Sequence, residues 1–371
     1  MSRLLMVLFW CVLAGCNPHN PLLLVPQGGE VPEAETVFVA TSRAIDPETQ
    51  TFSSKRAEEP SFARYVISVP ENREAGSIAY ARLGAKPNPK RNFATTSAVL
   101  YADDPAFRKD LAAALSEEDQ TGREATIFVH GFNTTFAEGV YRVAQLAHDL
   151  ELPGVAMHYA WPSAATPLGY VYDRDSVDFS RNGLEDMLRE VSNSGADRIY
   201  LVAQSMGSYL VVESLRQLAF RGDQKTLAKI AGVILIAPDI DVEVFRSQAR
   251  DIGHLPQPFM IFSSERDQIL QMSAALTGQK ARLGSLSSVA AVSDLDVTLV
   301  DVAAFNKGAG HFNVGNSPTL IRLLNRIDEV DAAFASRAGT KGGPRQQVQY
   351  VRNARQVTLA PDPLDRPSRQ R

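Results

Sequence analysis

The stretch 203–207, Ala-Gln-Ser-Met-Gly, could present a serine nucleophile. An apolar run from Ile199 to Ala203 precedes Ser205, and apolar residues at helical spacing follow it, at Tyr209, Leu210, Val212, Leu215 and Leu218. The pattern predicts a buried strand, a tight turn and a helix. A serine on such a turn stands out at the carboxyl edge of a sheet, where it can attack a carbonyl carbon. Ala203 stands where this turn usually has glycine, so we expect a backbone cost there.

A serine nucleophile needs a base within hydrogen-bond reach. Of the six histidines, only His254 and His311 follow Ser205, and the base of a serine on such a turn comes last in the chain. His311 lies in a glycine-rich loop after a strand predicted to end at Val302, which places it at the same sheet edge as Ser205. His254 precedes a predicted strand and so falls at the opposite edge. We assign His311 as general base, with His254 as the alternative.

The acid of the triad is expected after an earlier strand. Asp267 follows a predicted strand from Pro258 to Ser263 and could hold the imidazole in its working tautomer. Asp239 follows the preceding strand at the same edge and is the alternative acid, and Glu265 is a further one. Asp239, with Asp241, could instead cap the helix that begins near Val242. We assign Asp267.

Two backbone N–H groups must bind the oxyanion. Met206, directly after the nucleophile, is expected to supply one. The turn 130–133, His-Gly-Phe-Asn, is expected to supply the other through Phe132, since Gly131 permits the bend. Asn133 could orient this turn, and His130 is interpreted as a structural residue because it precedes the serine.

The elements around these residues alternate between strand and helix from Ala125 onward, which predicts an α/β fold with a mostly parallel central sheet flanked by helices. Residues 42–60 are polar and are interpreted as a loop, and residues 77–83 as a strand. Residues 163–178 are interpreted as a long irregular stretch that is either a cap over the site, in which Tyr170 and Tyr172 line a pocket, or a surface loop. Arg174 in this cap either meets a negative substrate group or pairs with a neighbouring aspartate.

Five segments together resemble a bacterial α/β-hydrolase family of unknown function, DUF900, over roughly residues 35–330. They are residues 128–134 (FVHGFNT), 145–150 (QLAHDL), 161–163 (WPS), 172–176 (YDRDS) and 203–207 (AQSMG). The resemblance implies an α/β-hydrolase fold of the esterase and lipase type, with Ser205 as nucleophile and His311 as base. It also supports the turn at His130, Gly131, Phe132 and Asn133. The residue before the serine is usually histidine in that family, whereas this chain has Gln204.

The N-terminus resembles a bacterial lipoprotein signal. A basic start and ten apolar residues, too few to span a bilayer, end at Leu13-Ala14-Gly15-Cys16. The resemblance implies cleavage before Cys16, lipidation of its thiol and, since Asn17 follows, an outer-membrane location in a Gram-negative cell. The alternative is an ordinary signal peptide or a misplaced start. The only other cysteine is Cys11, so we expect no disulfide and no cysteine nucleophile.

Charge and ligand spacing restrict the partners. The net charge is −4, and residues 335–371 carry eight Lys and Arg against Asp362 and Asp365, which leaves an acidic body. An acidic body argues against nucleic acid as a partner. His148 and His158 belong to no metal-ligand pattern, and we expect neither metal nor cofactor.

We therefore expect a signal peptide (1–15), a tether (16–35), a hydrolase domain (36–334) and a basic disordered tail (335–371). Within the domain, residues 36–122 would supply N-terminal strands and 123–334 the catalytic core. The expected activity is cleavage of small esters through an acyl-enzyme. The alternatives are an amidase or peptidase on envelope material, and a non-catalytic scaffold or binding module.

Overall fold

A computed structural model describes residues 22, 24–25, 33–82, 84–117, 122–152, 154–278, 281–305, 317–318 and 346–359. His311, Cys16 and residues 319–330 lie outside the described residues.

The strands of the described chain form a single sheet. In chain order they are β1 (Glu33–Ile45), β2 (Phe52–Val69), β3 (Ala94–Leu100), β4 (Glu124–Val129), β5 (Val155–Ala160), β6 (Arg198–Gln204), β7 (Ile230–Ile236), β8 (Phe259–Ser263), β9 (Thr298–Asp301), β10 (Gln346–Val351) and β11 (Ala354–Leu359). Their order across the sheet is β10-β11-β9-β8-β7-β6-β4-β5-β1-β2-β3. Neighbours from β11 to β1 run parallel, while β2 and β10 run antiparallel to their neighbours. The predicted mostly parallel sheet is confirmed, with the serine strand β6 at its centre.

Helices cover both faces of the sheet. They are α1 (Asp104–Glu117), α2 (Phe136–Leu150), α3 (Tyr170–Phe179), α4 (Arg181–Asn193), α5 (Met206–Phe220), α6 (Gln224–Leu227), α7 (Val242–Ile252) and α8 (Gln268–Leu276). Every residue of β4 and β5 is buried, as expected for strands covered on both sides. A capping box between Thr135 and Glu138 fixes where α2 begins.

The interpretation of residues 42–60 as a loop is wrong. β1 continues to Ile45 and β2 starts at Phe52, so most of this polar stretch forms a hairpin. The backbone hydrogen bonds that join two strands do not depend on apolar side chains. The inward-facing residue here is the buried Arg43, so the sequence lacks the alternation of apolar and polar residues that marks a strand. The strand predicted at 77–83 is also absent from its described residues.

Two other expectations about segments are corrected. Residues 163–178 are not irregular, because they contain a 3₁₀ turn at Pro167–Gly169 and most of α3. In the tail, β10 and β11 form a hairpin whose second strand pairs in parallel with β9, so the expectation of disorder is wrong for residues 346–359. The stretch expected to be a tether includes the start of β1 at Glu33.

Candidate active site

Ser205 occupies the sharp turn between β6 and α5. Its backbone has φ 52° and ψ −123°, a left-handed conformation that costs a non-glycine residue about 1–3 kcal/mol. Three backbone hydrogen bonds hold it there: Ser205 N donates to Ile236 O (2.9 Å), and Ser205 O accepts from Ser208 N (3.0 Å) and Asp239 N (3.2 Å). Ser205 is 2% exposed. Backbone strain of this kind, fixed by the surrounding structure, is typical of functional sites.

Small residues let the turn at Ser205 pass close to the turn after β4. A Cβ on Gly207 would lie 2.3 Å from His130 O, and one on Gly131 would lie 3.0 Å from Ser205 Cβ. Ala203 pairs regularly with Val129 and Leu235, and its φ is not positive. The backbone cost expected at Ala203 is therefore absent, since the strain falls on Ser205 itself.

Two backbone N–H groups flank the nucleophile. Met206 is the first residue of α5, where a helical N–H has no intrahelical acceptor. Phe132 follows Gly131, whose Cα lies against Ser205. Within the described residues, neither the Met206 nor the Phe132 N–H has a hydrogen-bond partner. That these two amides bind an oxyanion beside Ser205 stays a prediction.

His130 is directed at the main chain. Its Nδ1 lies 2.9 Å from Gly131 O and its Nε2 lies 2.9 Å from Trp161 O, while its ring stacks on Trp161 at 4.6 Å. Burial, together with the nearby Arg43 and His158, holds the pKa of His130 well below its usual value. The neutral imidazole thus packs behind the turn 130–133, and its role in positioning that turn stays a prediction.

A buried cation that the sequence analysis did not single out supports the same turn. Arg43 donates from Nη2 to Thr134 O (2.9 Å) and from Nη1 to Ser53 O (3.2 Å) and Ser163 O (3.4 Å). Burial lowers the pKa of Arg43 to about 10, against the opposing effect of Asp173. Nothing in the local pattern marked Arg43, because a lone arginine in a polar stretch is usually exposed.

Asp173 completes this support from α3. Its Oδ2 accepts from Ser163 Oγ (2.7 Å) and Asn133 N (3.3 Å), and its Oδ1 accepts from Ala164 N (2.6 Å). Burial raises the pKa of Asp173. The segment 172–176 of the family resemblance contains this aspartate, which is the signal that could have identified it.

Asp267 is buried at the carboxyl edge, four residues after β8 ends. Its Oδ1 accepts from Ile269 N and Leu270 N, both at 3.1 Å, so the carboxylate caps α8. Glu265, the further alternative, is exposed.

Asp239, the alternative acid, is engaged by other side chains through both oxygens. Its Oδ1 accepts from Ser273 Oγ (2.7 Å) and lies 3.0 Å from Arg282 Nε, and its Oδ2 accepts from Tyr170 OH (3.1 Å). Asp239 and Arg282 form a buried ion pair. Asp241 caps α7, as its alternative interpretation expected.

The two histidines after Ser205 are placed differently. His254 is exposed between the end of α7 and the start of β8, at the amino edge of the sheet, away from Ser205. His311 lies outside the described residues, but the chain leading to it is placed. β9 is the parallel neighbour of β8, and Val302 N donates to Ser263 O (3.0 Å), so the chain leaves β9 at the edge that carries Asp267 and Ser205.

The two tyrosines of α3 contact different parts of the protein. Tyr170 packs its ring against Phe132 (5.7 Å between centroids), and its OH is 2.8 Å from Ser273 Oγ. Tyr172 instead donates to Ser54 O (2.7 Å) beneath Arg56, so it does not line this site. Arg174 lies over the Tyr209 ring at 5.0 Å.

A separate cleft of about 390 Å³ lies on the outer side of α5. Its lining includes Arg181, Tyr209, Glu213 and Gln248 but not Ser205, so it is not the nucleophile's pocket. Among the described residues, no three His, Cys, Asp or Glu side chains cluster as metal ligands. No helix in the described ranges is long and apolar enough to span a membrane.

A family model agrees with this geometry. The model described as "Alpha/beta hydrolase of unknown function (DUF900)" matches residues 103–326. The chain belongs to this family. The matched range of this DUF900 hydrolase contains the turn at Ser205, the turn after β4 and both candidate acids. The resemblance inferred from sequence is confirmed.

Solved structures with a related fold include several ester hydrolases. The ester hydrolase EH1AB1 from the Lake Arreo metagenome is 12% identical, with a TM-score of 0.36, 90% of this chain covered and 98% of that chain. One of two fungal esterases from Rhizomucor miehei is 14% identical, with a TM-score of 0.35 and coverage of 82% and 86%. The monoacylglycerol lipase of Paleococcus ferrophilus is 13% identical, with a TM-score of 0.34 and coverage of 57% and 95%. These scores are too low to carry an argument about activity. No curated protein matches the chain.

Proposed function

We propose that this DUF900 protein is a serine hydrolase that cleaves carboxylic esters through an acyl-enzyme, with Ser205, His311 and Asp267 as its triad. The observation that carries the proposal is the strained backbone of Ser205, held beside the N–H groups of Met206 and Phe132, for which the described part of the chain supplies no acceptor. A protein that used this serine only for packing would have no need of the strain.

In the first half of the reaction, Ser205 Oγ attacks the ester carbonyl carbon and His311 takes the hydroxyl proton. The carbonyl oxygen becomes an oxyanion that accepts hydrogen bonds from the Met206 and Phe132 N–H groups. His311 then gives the proton to the leaving alkoxide, and the acyl group remains on Ser205. Asp267 holds the His311 tautomer and stabilises the imidazolium.

In the second half, water attacks the acyl-enzyme and His311 acts as base again. The proton returns to Ser205 when the tetrahedral intermediate collapses, and the carboxylic acid leaves. Arg43 and Asp173 contribute indirectly, because they hold the turn 130–134 in the position from which the Phe132 N–H can donate.

Exposed apolar side chains beside the site support an ester with an apolar group. Leu168 is 94% exposed and Val171 is 73% exposed on the two sides of Tyr170, and Met272 on α8 is 53% exposed next to Ser273. The contact between Tyr170 and Ser273 brings these three residues to the same edge of the molecule. An acyl or alcohol chain would cover apolar surface there, with a gain of about 25 cal/mol per Å².

The test is hydrolysis of a series of p-nitrophenyl esters with increasing acyl length. We expect turnover by the wild type and loss of at least about 10³-fold in Ser205→Ala. Ser208→Ala is the matched control, since this neighbouring hydroxyl donates to Ala203 O and should not react. Equal turnover by wild type and Ser205→Ala would reject the proposed nucleophile.

The two alternatives predict other outcomes. An amidase or peptidase would turn over anilides or peptides better than the matching esters, with the same dependence on Ser205. A non-catalytic scaffold would fold normally and hydrolyse no member of either series.

We also propose that Cys16 is lipidated and holds the protein in the cell envelope, at the outer membrane in a Gram-negative cell. The support is the sequence around Leu13-Ala14-Gly15-Cys16. Cys16→Ser should move the protein from the membrane fraction to the soluble fraction. Continued membrane association of this variant would contradict lipid anchoring.

A further inference from the structure

Positive charge is concentrated between β2 and β3. Residues 75–101 contain no aspartate or glutamate, although the chain as a whole has a net charge of −4. The four basic residues of this segment are all exposed, and we call them the basic loop: Arg82, Lys86, Lys90 and Arg91. The preceding turn carries the acids Glu71 and Glu74, so the charge is specific to the loop.

The N-terminal segment enters the fold beside the basic loop. Leu24 forms a parallel bridge with Thr95, and Val25 N donates to Thr95 O at 2.8 Å. This register places Leu22 level with Phe93, two residues after Arg91. Leu22 also packs against the apolar cluster that contains Phe93. Leu22 therefore lies next to the basic loop.

Covalent geometry limits how far this surface can lie from a lipid anchor. Cys16 precedes Leu22 by six residues, which span at most about 20 Å when fully extended. The basic loop must then stay near any bilayer to which Cys16 is attached. This step rests on the proposed lipidation, whereas the loop's charge does not.

We propose that the basic loop is a membrane-facing surface that binds anionic lipid headgroups. Lysine and arginine pair with headgroup phosphates, and basic residues close to a negatively charged bilayer are attracted within a Debye length of its surface. The lipid anchor brings the loop into that range, and the loop fixes which side of the molecule faces the bilayer.

This surface and the nucleophile lie at opposite ends of the strands. Ala94 pairs with Ser68 and Ser68 with Ala34, at the start of β1. Seven residues later, Thr41 pairs with Ala160 at the carboxyl edge, about 23 Å along the strand. Binding through the basic loop therefore leaves the edge that carries Ser205 uncovered.

Binding to vesicles tests the proposal on a protein that lacks the covalent lipid anchor. The chain from residue 16 with Cys16→Ser keeps every residue that the structure describes, and it is mixed with vesicles of phosphatidylcholine alone or with equal parts of phosphatidylglycerol. The loop variant combines Arg82→Glu, Lys86→Glu, Lys90→Glu and Arg91→Glu. A control variant with the same change in charge combines Lys55→Glu, Lys109→Glu, Arg250→Glu and Arg352→Glu, all at exposed positions.

We expect binding to the anionic vesicles only, weakened by added salt, with the loop variant at least about tenfold weaker than the control variant. Equal binding by the two variants, equal binding to both vesicle types, or no binding to anionic vesicles would overturn the proposal. Thermal unfolding of each variant shows that it is folded. Ester hydrolysis by the loop variant should match the wild type, so failure of this proposal is distinct from failure of the proposed catalysis.

Discussion

The candidate chemistry depends on how individual polar atoms are engaged. Asp239 and Asp267 are both buried at the carboxyl edge, and spacing in the sequence allowed either to act as the acid. The structure separates them by their partners. Asp239 is paired with Arg282, whereas Oδ1 of Asp267 accepts from two backbone N–H groups. An ion pair with arginine weakens the electrostatic stabilisation that a carboxylate can give to an imidazolium. These contacts therefore support Asp267 as the acid of the triad.

The two acids should respond differently to replacement by asparagine. Asp267→Asn should lower kcat by about 10³–10⁴-fold, because the neutral amide neither holds the tautomer nor stabilises the imidazolium. Its oxygen can still cap α8, so stability should change little. The measurement is ester turnover, with urea unfolding of the same samples.

Asp239→Asn is the matched comparison. It leaves Arg282 buried without its counter-charge, which should cost about 3 kcal/mol of unfolding free energy. The folded fraction should nevertheless retain most of its turnover. A larger loss of kcat in Asp239→Asn than in Asp267→Asn would reverse the assignment of the acid.

At the scale of elements, the site depends on how closely α5 crosses the turn after β4. The Gly207 Cα faces His130 O, and a Cβ there would lie 2.3 Å from that oxygen. Since the obstacle is backbone, it cannot rotate away as a side chain would. This contact sets how far the Met206 N–H lies from the Phe132 N–H, the two proposed oxyanion donors.

Gly207→Ala should therefore destabilise the fold by about 3 kcal/mol and lower kcat in the molecules that remain folded. Gly222→Ala is the control, because its Cβ would meet nothing within 4 Å and only its φ of 69° is unfavourable. Thermal unfolding and ester turnover measure the two effects. If both variants behaved alike, the close crossing would not be what holds the site.

The sequence predicted the elements whose apolar pattern is regular. β4 to β8 and α2 have continuous or periodic apolar residues, and their positions agree with the structure. The α3 helix escaped prediction because it buries a carboxylate, Asp173, and exposes the apolar Val171. The full length of the β1–β2 hairpin was not predicted for a similar reason, since the charged Arg43 faces inward there. Buried charges held by long-range hydrogen bonds leave no local periodic signal.

At the scale of the whole molecule, the C-terminal hairpin extends the sheet beyond β9. β11 pairs with β9, the strand that leads toward His311, and Val357 is 1% exposed within an apolar cluster that includes Val300. The tail around this hairpin is rich in Arg, Gln, Pro and Gly, which concealed it, although six of the fourteen residues at 346–359 are apolar. The strand-to-helix turn at Ser205 and the mostly parallel sheet were predicted from sequence, whereas this sheet extension required the structure.

Val357→Ala should lower the free energy of unfolding by about 2 kcal/mol, since it leaves a cavity beside β9. Val348→Ala in β10 is the control, because Val348 is 41% exposed and should change stability by less than about 0.5 kcal/mol. Denaturant unfolding compares the two. Equal stability of both variants would mean that the hairpin does not pack on the sheet.

Stability should also depend on pH through buried His158. Its Nδ1 donates to Phe128 O (3.0 Å), and burial lowers its pKa from 6.5 to about 3. The unfolded chain binds a proton below about pH 6.5 that the folded protein does not accept until about pH 3, so stability falls as the pH falls through this window. Between pH 6.5 and 5 this one group accounts for about 2 kcal/mol.

His158→Asn removes the titration and keeps a donor near Phe128 O. Urea unfolding at the two pH values should show a smaller loss in the variant than in the wild type, by about 2 kcal/mol. An identical loss in both proteins would show that His158 is not a neutral buried group.

The central claim, that Ser205 is an activated nucleophile, is tested most directly by fluorophosphonate labelling followed by peptide mapping. The reagent forms a covalent bond only with a serine whose base and oxyanion donors are in place. The account predicts a single adduct on Ser205 in the folded wild type and none in Ser205→Ala. A folded wild type that takes no label, or an adduct on a different serine that persists in Ser205→Ala, would contradict it.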